Sequence, residues 1–170
     1  MKGRIVGNTN GFSLIELAVT VAVIGIIATI VVPNMIGWRG DRQLQGFARN
    51  YAADVQLARL SAIREAENVV VDVDDGANNY QIFIDTNKND SLDAGENILR
   101  NVSCPSGISI DYVGASKPLP VPAPPPFNQI SLSPKGYSSS EGFLAEFKNT
   151  SGDLKSVTVT ILGSVRIEDY

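Results

Sequence analysis

The sequence holds no histidine, and a single cysteine, Cys104, among 170 residues. Without histidine there is no Ser-His-Asp triad, no HExxH metal site and no imidazole general base. One cysteine excludes an intramolecular disulfide and a multi-cysteine zinc site. Pro105 follows Cys104, and nothing in the sequence would activate that thiol, so it reads as inert. Ser138, Ser139 and Ser140 lack a basic partner in sequence, and no Walker-type glycine-rich loop is present. The chain therefore does not read as an enzyme. Charge is also scarce, at 19% against about 25% in ordinary domains. Lys and Arg number 14 against 18 Asp and Glu, a net charge of −4. A strongly basic nucleic-acid binder is thereby disfavoured.

What is abundant is apolar sequence, 44% of the chain, and it is unevenly spread. Residues 12–38 are almost wholly apolar and contain one charge, Glu16. A bilayer core needs about 20 apolar helical residues, so this run can span. Lys2 and Arg4 precede it, as in a secretory signal. The run is too long for such a signal, and a charge inside it is costly enough to need a partner or a purpose. Pro33 removes a helical hydrogen bond and, with Gly25 and Gly37, predicts a kink or local loosening.

Beyond it, Leu44, Phe47, Tyr51, Val55, Ala58 and Ala62 step by three and four, an amphipathic helical stripe. Arg42, Arg49, Asp54, Arg59 and Arg64 fall mostly off that stripe and read as a solvated or subunit-facing surface. The helix is expected to stop near Glu67 and Asn68. The period then becomes two. Residues 69–73 and 80–84 read as strands joined by an Asp/Asn/Gly turn at 74–79. Further strands are expected at 98–102, 108–113, 130–133, 143–147 and 157–167. Six of nine prolines lie in 118–126, an extended polyproline segment, read as a stiff loop or a docking ligand. The expected fold is α+β: a long N-terminal helix, half membrane and half amphipathic, packed on an antiparallel β domain. Its divisions are 1–11, 12–38, 39–68 and 69–170.

The string Gly11-Phe12-Ser13-Leu14-Ile15-Glu16-Leu17 resembles the cleavage motif of type IV prepilins, and Pro33 falls where pilins and pseudopilins often carry proline. Within that superfamily the chain resembles the GspH/FimT family, the H-type minor pseudopilins. The marks are Ser133-Pro134-Lys135-Gly136 after a strand, and Gly163 ahead of Val165-Arg166-Ile167. The resemblance implies a pilin-like fold, a leader 1–11 cleaved after Gly11 by prepilin peptidase, and N-methylation of Phe12. It implies an inner-membrane helix with the N-terminus cytoplasmic and the β domain periplasmic. It implies assembly with other minor and major pseudopilins on an inner-membrane platform, in a type II secretion pseudopilus or, alternatively, a type IV pilus of FimT/FimU type. Glu16 lies one turn from the Phe12 amine. Pairing these charges between neighbouring subunits would relieve their cost in lipid, and an interfacial or protonated carboxyl is the alternative. DNA-binding relatives carry a Gly-Arg-x-Arg tail. Here the stretch is Gly163-Ser164-Val165-Arg166 followed by Glu168 and Asp169, so nucleic acid is not an expected partner.

One loop has a chemistry of its own. Counting Asp85 as position one, oxygen donors fall at odd positions and Glu96 at twelve, the spacing of an EF-hand calcium loop. Asp85, Asn87, Asn89, Asp93 and Glu96 would be the side-chain ligands. Asp90 stands where such loops want glycine, and the flanks read as strands. The alternative is an Asx-rich loop held by side-chain-to-backbone hydrogen bonds. No other cofactor is expected.

Overall fold

The computed structural model describes residues 12–111, 129–138 and 143–169, with only the helical backbone at 33–37. Gly11, the proline segment 118–126, Ser139 and Ser140 lie outside the described residues. The chain divides into two units, Met1–Trp38 and Arg39–Tyr170. One helix, α1 (Leu14–Glu65), contributes to both.

In the first unit α1 is an apolar rod. Leu14–Val32 is long and apolar enough to cross a membrane, and none of it is buried. Its polar side chains are largely turned back on the helix. The Thr20 hydroxyl donates to the carbonyls of Glu16 (3.0 Å) and Leu17 (2.8 Å), and Thr29 donates to that of Ile26 (2.7 Å). Such back-bonding hides hydroxyls from an apolar solvent. The backbone stays helical through Pro33.

In the second unit the expected stripe is the core. Leu44, Phe47, Tyr51, Val55, Ala58 and Ala62 are all buried. They pack with residues from two four-stranded antiparallel sheets. The first has the order β3 (Ile98–Ser103), β2 (Asn79–Asp85), β1 (Asn68–Asp74), β5 (Gln129–Leu132). The second has β4 (Ile108–Ile110), β6 (Phe143–Asn149), β7 (Leu154–Val159), β8 (Val165–Asp169). Period two supplies the inward side chains: Val69, Val71 and Val73 from β1, Phe143, Ala145 and Phe147 from β6. Phe47, Tyr51, Tyr80 and Phe147 meet edge to face, with centroids 4.9–6.1 Å apart, the geometry that aromatic quadrupoles favour.

Asn78 ties the two sheets together. In the β1–β2 turn at φ 53°, it donates to Ile108 O (2.9 Å), accepts from Ile110 N–H (3.0 Å), and its carbonyl accepts from Cys104 N–H (2.9 Å). Its amide thus stands in for a strand partner along β4.

Three expectations are corrected. The helix ends at Glu65, because Ala66 takes left-handed geometry (φ 58°) and closes it. Of the strand expected at 108–113, β4 covers Ile108–Ile110; Asp111 lies beyond it with its N–H donating to Glu146 O of β6 (2.9 Å), and residues 112 and 113 lie outside the described residues. The single strand expected at 157–167 is two, β7 and β8, folded back at Thr160 to Ser164. Gly163, at φ 71°, donates to Thr160 O (2.7 Å) and makes that reversal possible.

Candidate functional site

The candidate assembly residues lie at the start of α1. Phe12 is 82% exposed. Glu16 is exposed in the first turn, where a carboxylate complements the positive end of the helix dipole. Gly25 has open space around it, so close approach of another helix would meet no side chain there.

The loop joining β2 to β3 gathers the expected calcium ligands only in part. Asp85 is fully buried. Its Oδ1 accepts from the amides of Lys88 (2.7 Å) and Asn89 (3.3 Å), its Oδ2 from that of Asp90 (2.9 Å). Glu96 Oε1 accepts from Thr86 N–H (3.0 Å) and Oε2 from Asp93 N–H (3.0 Å). Asn87 and Asn89 do converge, both donating to Asp93 Oδ2 at 2.6 and 2.7 Å. Those two amides hold the Asp93 carboxyl below its usual range. Asp90 takes the left-handed geometry (φ 58°) that glycine would have supplied. Among the described residues no three Asp, Glu, Cys or His side chains are grouped as a metal ion needs. In this arrangement the oxygens of the loop accept from its own backbone and side-chain amides, an Asx-turn network.

Arg59, expected on a solvated or subunit-facing surface, has a structural task. Its Nε donates to Gly136 O (3.0 Å) and its Nη1 to Gly163 O (3.3 Å). The guanidinium fork therefore fixes two turns, β5 to Ser138 and β7 to β8, to the helix. A Cβ on Gly163 would lie 2.6 Å from Gly136 O and 2.8 Å from Arg59 Nε. Helical spacing places Arg59 beside the buried stripe but gives no sign of the two carbonyls, which come from residues 77 and 104 positions away. Asp54 was likewise legible only as off-stripe. It accepts from the Tyr80 hydroxyl (2.7 Å) and lies 3.4 Å from Arg100.

Near the start of this unit Asn149 Nδ2 donates to both Asp41 Oδ1 (3.1 Å) and Asp153 Oδ2 (2.8 Å). The Asp153 carboxyl beside it raises the pKa of Asp41, while the Asn149 amide lowers that of Asp153. Burial pushes the Cys104 thiol up to about 11, in keeping with an inert cysteine. Arg166, in the stretch compared with the DNA-binding tail, lies 3.3 Å from Glu168.

A long helix with an exposed apolar half and an amphipathic half packed on antiparallel sheets defines the pilin-like α+β class. The family model described as "Type II transport protein GspH" matches residues 48–164. A second, "Prokaryotic N-terminal methylation motif", matches residues 7–32. The chain belongs to the GspH family. Among solved structures it is similar to the minor pseudopilin EpsH from the type 2 secretion system of Vibrio cholerae, with a TM-score of 0.55 and 15% identity, covering 75% of this chain and 97% of that one. It is equally similar to the type IV minor pilin FimU of Pseudomonas aeruginosa, with a TM-score of 0.55 and 14% identity, covering 77% and 92%. Among curated proteins it is 33% identical over 66 residues to type II secretion system protein H of Aeromonas hydrophila, 39% of this chain and 36% of the relative. It is 34% identical over 87 residues to the pilin-like protein PilA1 of Thermus thermophilus, 51% and 54%. The chain thus spans about a third to a half of the length of the curated relatives it matches.

Proposed function

We propose that this chain is a minor pseudopilin of the protein H kind, a non-enzymatic subunit of a type II secretion pseudopilus. The observation that carries the reading is the joining of a methylation motif and a bare apolar helix to a head with the GspH fold. Prepilin peptidase would cut after Gly11 on the cytoplasmic side and Phe12 would then be methylated. The helix would hold the subunit in the inner membrane with its head in the periplasm, until assembly on the inner-membrane platform transfers it to a filament of other pseudopilins. Glu16 would pair with the Phe12 amine of a neighbour, a pairing favoured by the low dielectric of a membrane or a packed helix bundle.

The likeness to FimU supports a second reading, a minor pilin that primes a type IV pilus. Deletion of the gene separates the two. Loss of secreted protein with intact pili fits the first, and loss of pili with intact secretion fits the second. Intact mass of the membrane-extracted protein tests both. The expected product begins at a methylated Phe12. A protein that still begins at Met1 would overturn the pseudopilin and pilin readings together.

A further inference from the structure

The chain has one tryptophan, Trp38, and the fold does not bury it. It is 56% exposed, at the end of the first unit. Residues 13–37 contain no aromatic side chain, so Phe12 and Trp38 bracket the apolar run. The spanning stretch Leu14–Val32 is about 28 Å of helix, close to the hydrocarbon thickness of about 30 Å. The backbone stays helical beyond it. From Phe12 to Trp38 is about 39 Å along the helix, close to the thickness of about 40–45 Å that includes both headgroup layers. The two aromatic residues are therefore spaced for the interfaces and not for the hydrocarbon core.

An indole combines a broad apolar face with one N–H donor. In hydrocarbon the N–H would lack an acceptor, and in water the ring would lose its burial. The glycerol and phosphate layer satisfies both. Charge marks the same depth. Arg39, the first charged residue after Glu16, follows Trp38 directly, and drawing Trp38 into hydrocarbon would draw Arg39 in with it at a high cost. Between Val32 and Trp38 the sequence has no charge, so no earlier residue of that kind stops the segment from sliding deeper. Helical side chains also lean toward the N-terminus, so a ring at position 38 is set back from its Cα toward the apolar segment.

We propose that Trp38 is the interfacial anchor of the membrane-held subunit, binding the phospholipid surface of the leaflet at which the apolar segment leaves the bilayer. The indole N–H donates to ester or phosphate oxygens of the lipid, and the ring covers the uppermost acyl carbons. Trp38 thereby sets how deep the segment sits. The inference rests on the membrane reading of Leu14–Val32.

A sole tryptophan makes this testable by fluorescence on the full chain, reconstituted in vesicles of phosphatidylethanolamine and phosphatidylglycerol. Nitroxide lipids carry the quencher either at the headgroup or at the end of an acyl chain, and iodide quenches from water. The headgroup nitroxide is expected to quench Trp38 about twofold more strongly than the chain-end nitroxide, and iodide only weakly. The double variant Ile24→Trp, Trp38→Phe moves the sole tryptophan to mid-span and should reverse the order of the two lipid quenchers. In Ile24→Trp, Trp38→Ala the anchor is gone, and chain-end quenching at position 24 should fall below that of the phenylalanine variant. If position 24 reports the bilayer centre while Trp38 is quenched best by the chain-end nitroxide, by iodide alone or by nothing, the anchor proposal is wrong and the membrane reading stands. If the alanine variant leaves position 24 unmoved, Trp38 does not set the depth, and the proposal is likewise overturned. If neither lipid nitroxide reaches position 24, the membrane reading fails and the proposal with it.

Discussion

Tyr51 and Tyr80 touch ring to edge in the core, yet their hydroxyls are in opposite situations. The Tyr80 hydroxyl donates to Asp54, and the Tyr51 hydroxyl is buried with no partner among the described residues. Burial pushes both phenols well above their usual pKa, the Asp54 carboxylate adding to the effect at Tyr80. Removing an unpaired buried hydroxyl costs nothing in hydrogen bonding, whereas taking the Tyr80 donor from the Asp54 carboxylate, which keeps only Arg100 at 3.4 Å, does. Tyr51→Phe is expected to leave the melting temperature unchanged or higher, and Tyr80→Phe to cost about 1–2 kcal/mol. Equal losses in thermal melts would contradict the assignment. Glu146 offers a titration test. Its Oε2 is buried without a partner among the described residues, and burial, with Asp111 nearby, raises its pKa. A carboxyl raised in the folded state adds stability while protonated, and that contribution is lost as pH rises through its folded pKa. At neutral pH the ionised group is therefore a burden. Glu146→Gln should melt higher than the parent at neutral pH, and the gap should close as the pH falls to about 4. A gap that does not depend on pH would refute this.

At the scale of elements, the β2–β3 loop hangs on one side chain. Asp85→Ala would strand three amide donors now held by a buried carboxylate. Each such bond contributes about 1.5–3 kcal/mol, and partial rescue by water sets the expected cost at about 3 kcal/mol. Melting of the full chain in detergent should fall accordingly, and a chelator added to the parent should change nothing. A chelator-induced fall would show that the loop holds calcium. This loop shows where sequence reading succeeds and where it stops. The alternation of oxygen side chains is plain in the sequence, but spacing alone does not say whether carboxylates face a cation or the backbone. The stripe from Leu44 to Ala62 was legible because burial on one helix face imposes a period that no other constraint mimics. The β1–β2 hairpin was legible because an Asp/Asn/Gly turn separates two alternating runs. The break at Thr160 to Ser164 was not, since Ile161 and Leu162 carry the apolar alternation through a reversal that only Gly163 betrays. Arg59 and Asn78 were missed for another reason. Their partners are backbone carbonyls and amides brought close by the fold, and backbone groups leave no mark in a sequence.

At the scale of the whole molecule, the hydrophobic core and Glu16 lie in different units. The core lies within residues from 44 onward, and Glu16 lies in the other unit, on a helix segment with no buried residue. A substitution at Glu16 therefore has no packing or hydrogen bond of the head to disturb, and surface changes of that kind stay within about 0.5 kcal/mol. Its effect on assembly should be large. On the proposed pairing, loss of the carboxylate would leave the Phe12 amine of a neighbouring subunit unpaired in an apolar bundle, and an uncompensated charge there costs several kcal/mol. Glu16→Ala is thus expected to leave the unfolding transition of the head and the membrane level of the protein unchanged, while the amount recovered in sheared filaments drops tenfold or more, each factor of ten corresponding to about 1.4 kcal/mol. Glu16→Asp, which keeps the charge on a shorter side chain, should recover part of the loss. If Glu16→Ala enters filaments at the parental level, the charge pairing is not what draws this subunit into them. If Glu16→Ala instead lowers the melting of the head, the two units are coupled, and the separation of folding from assembly does not hold.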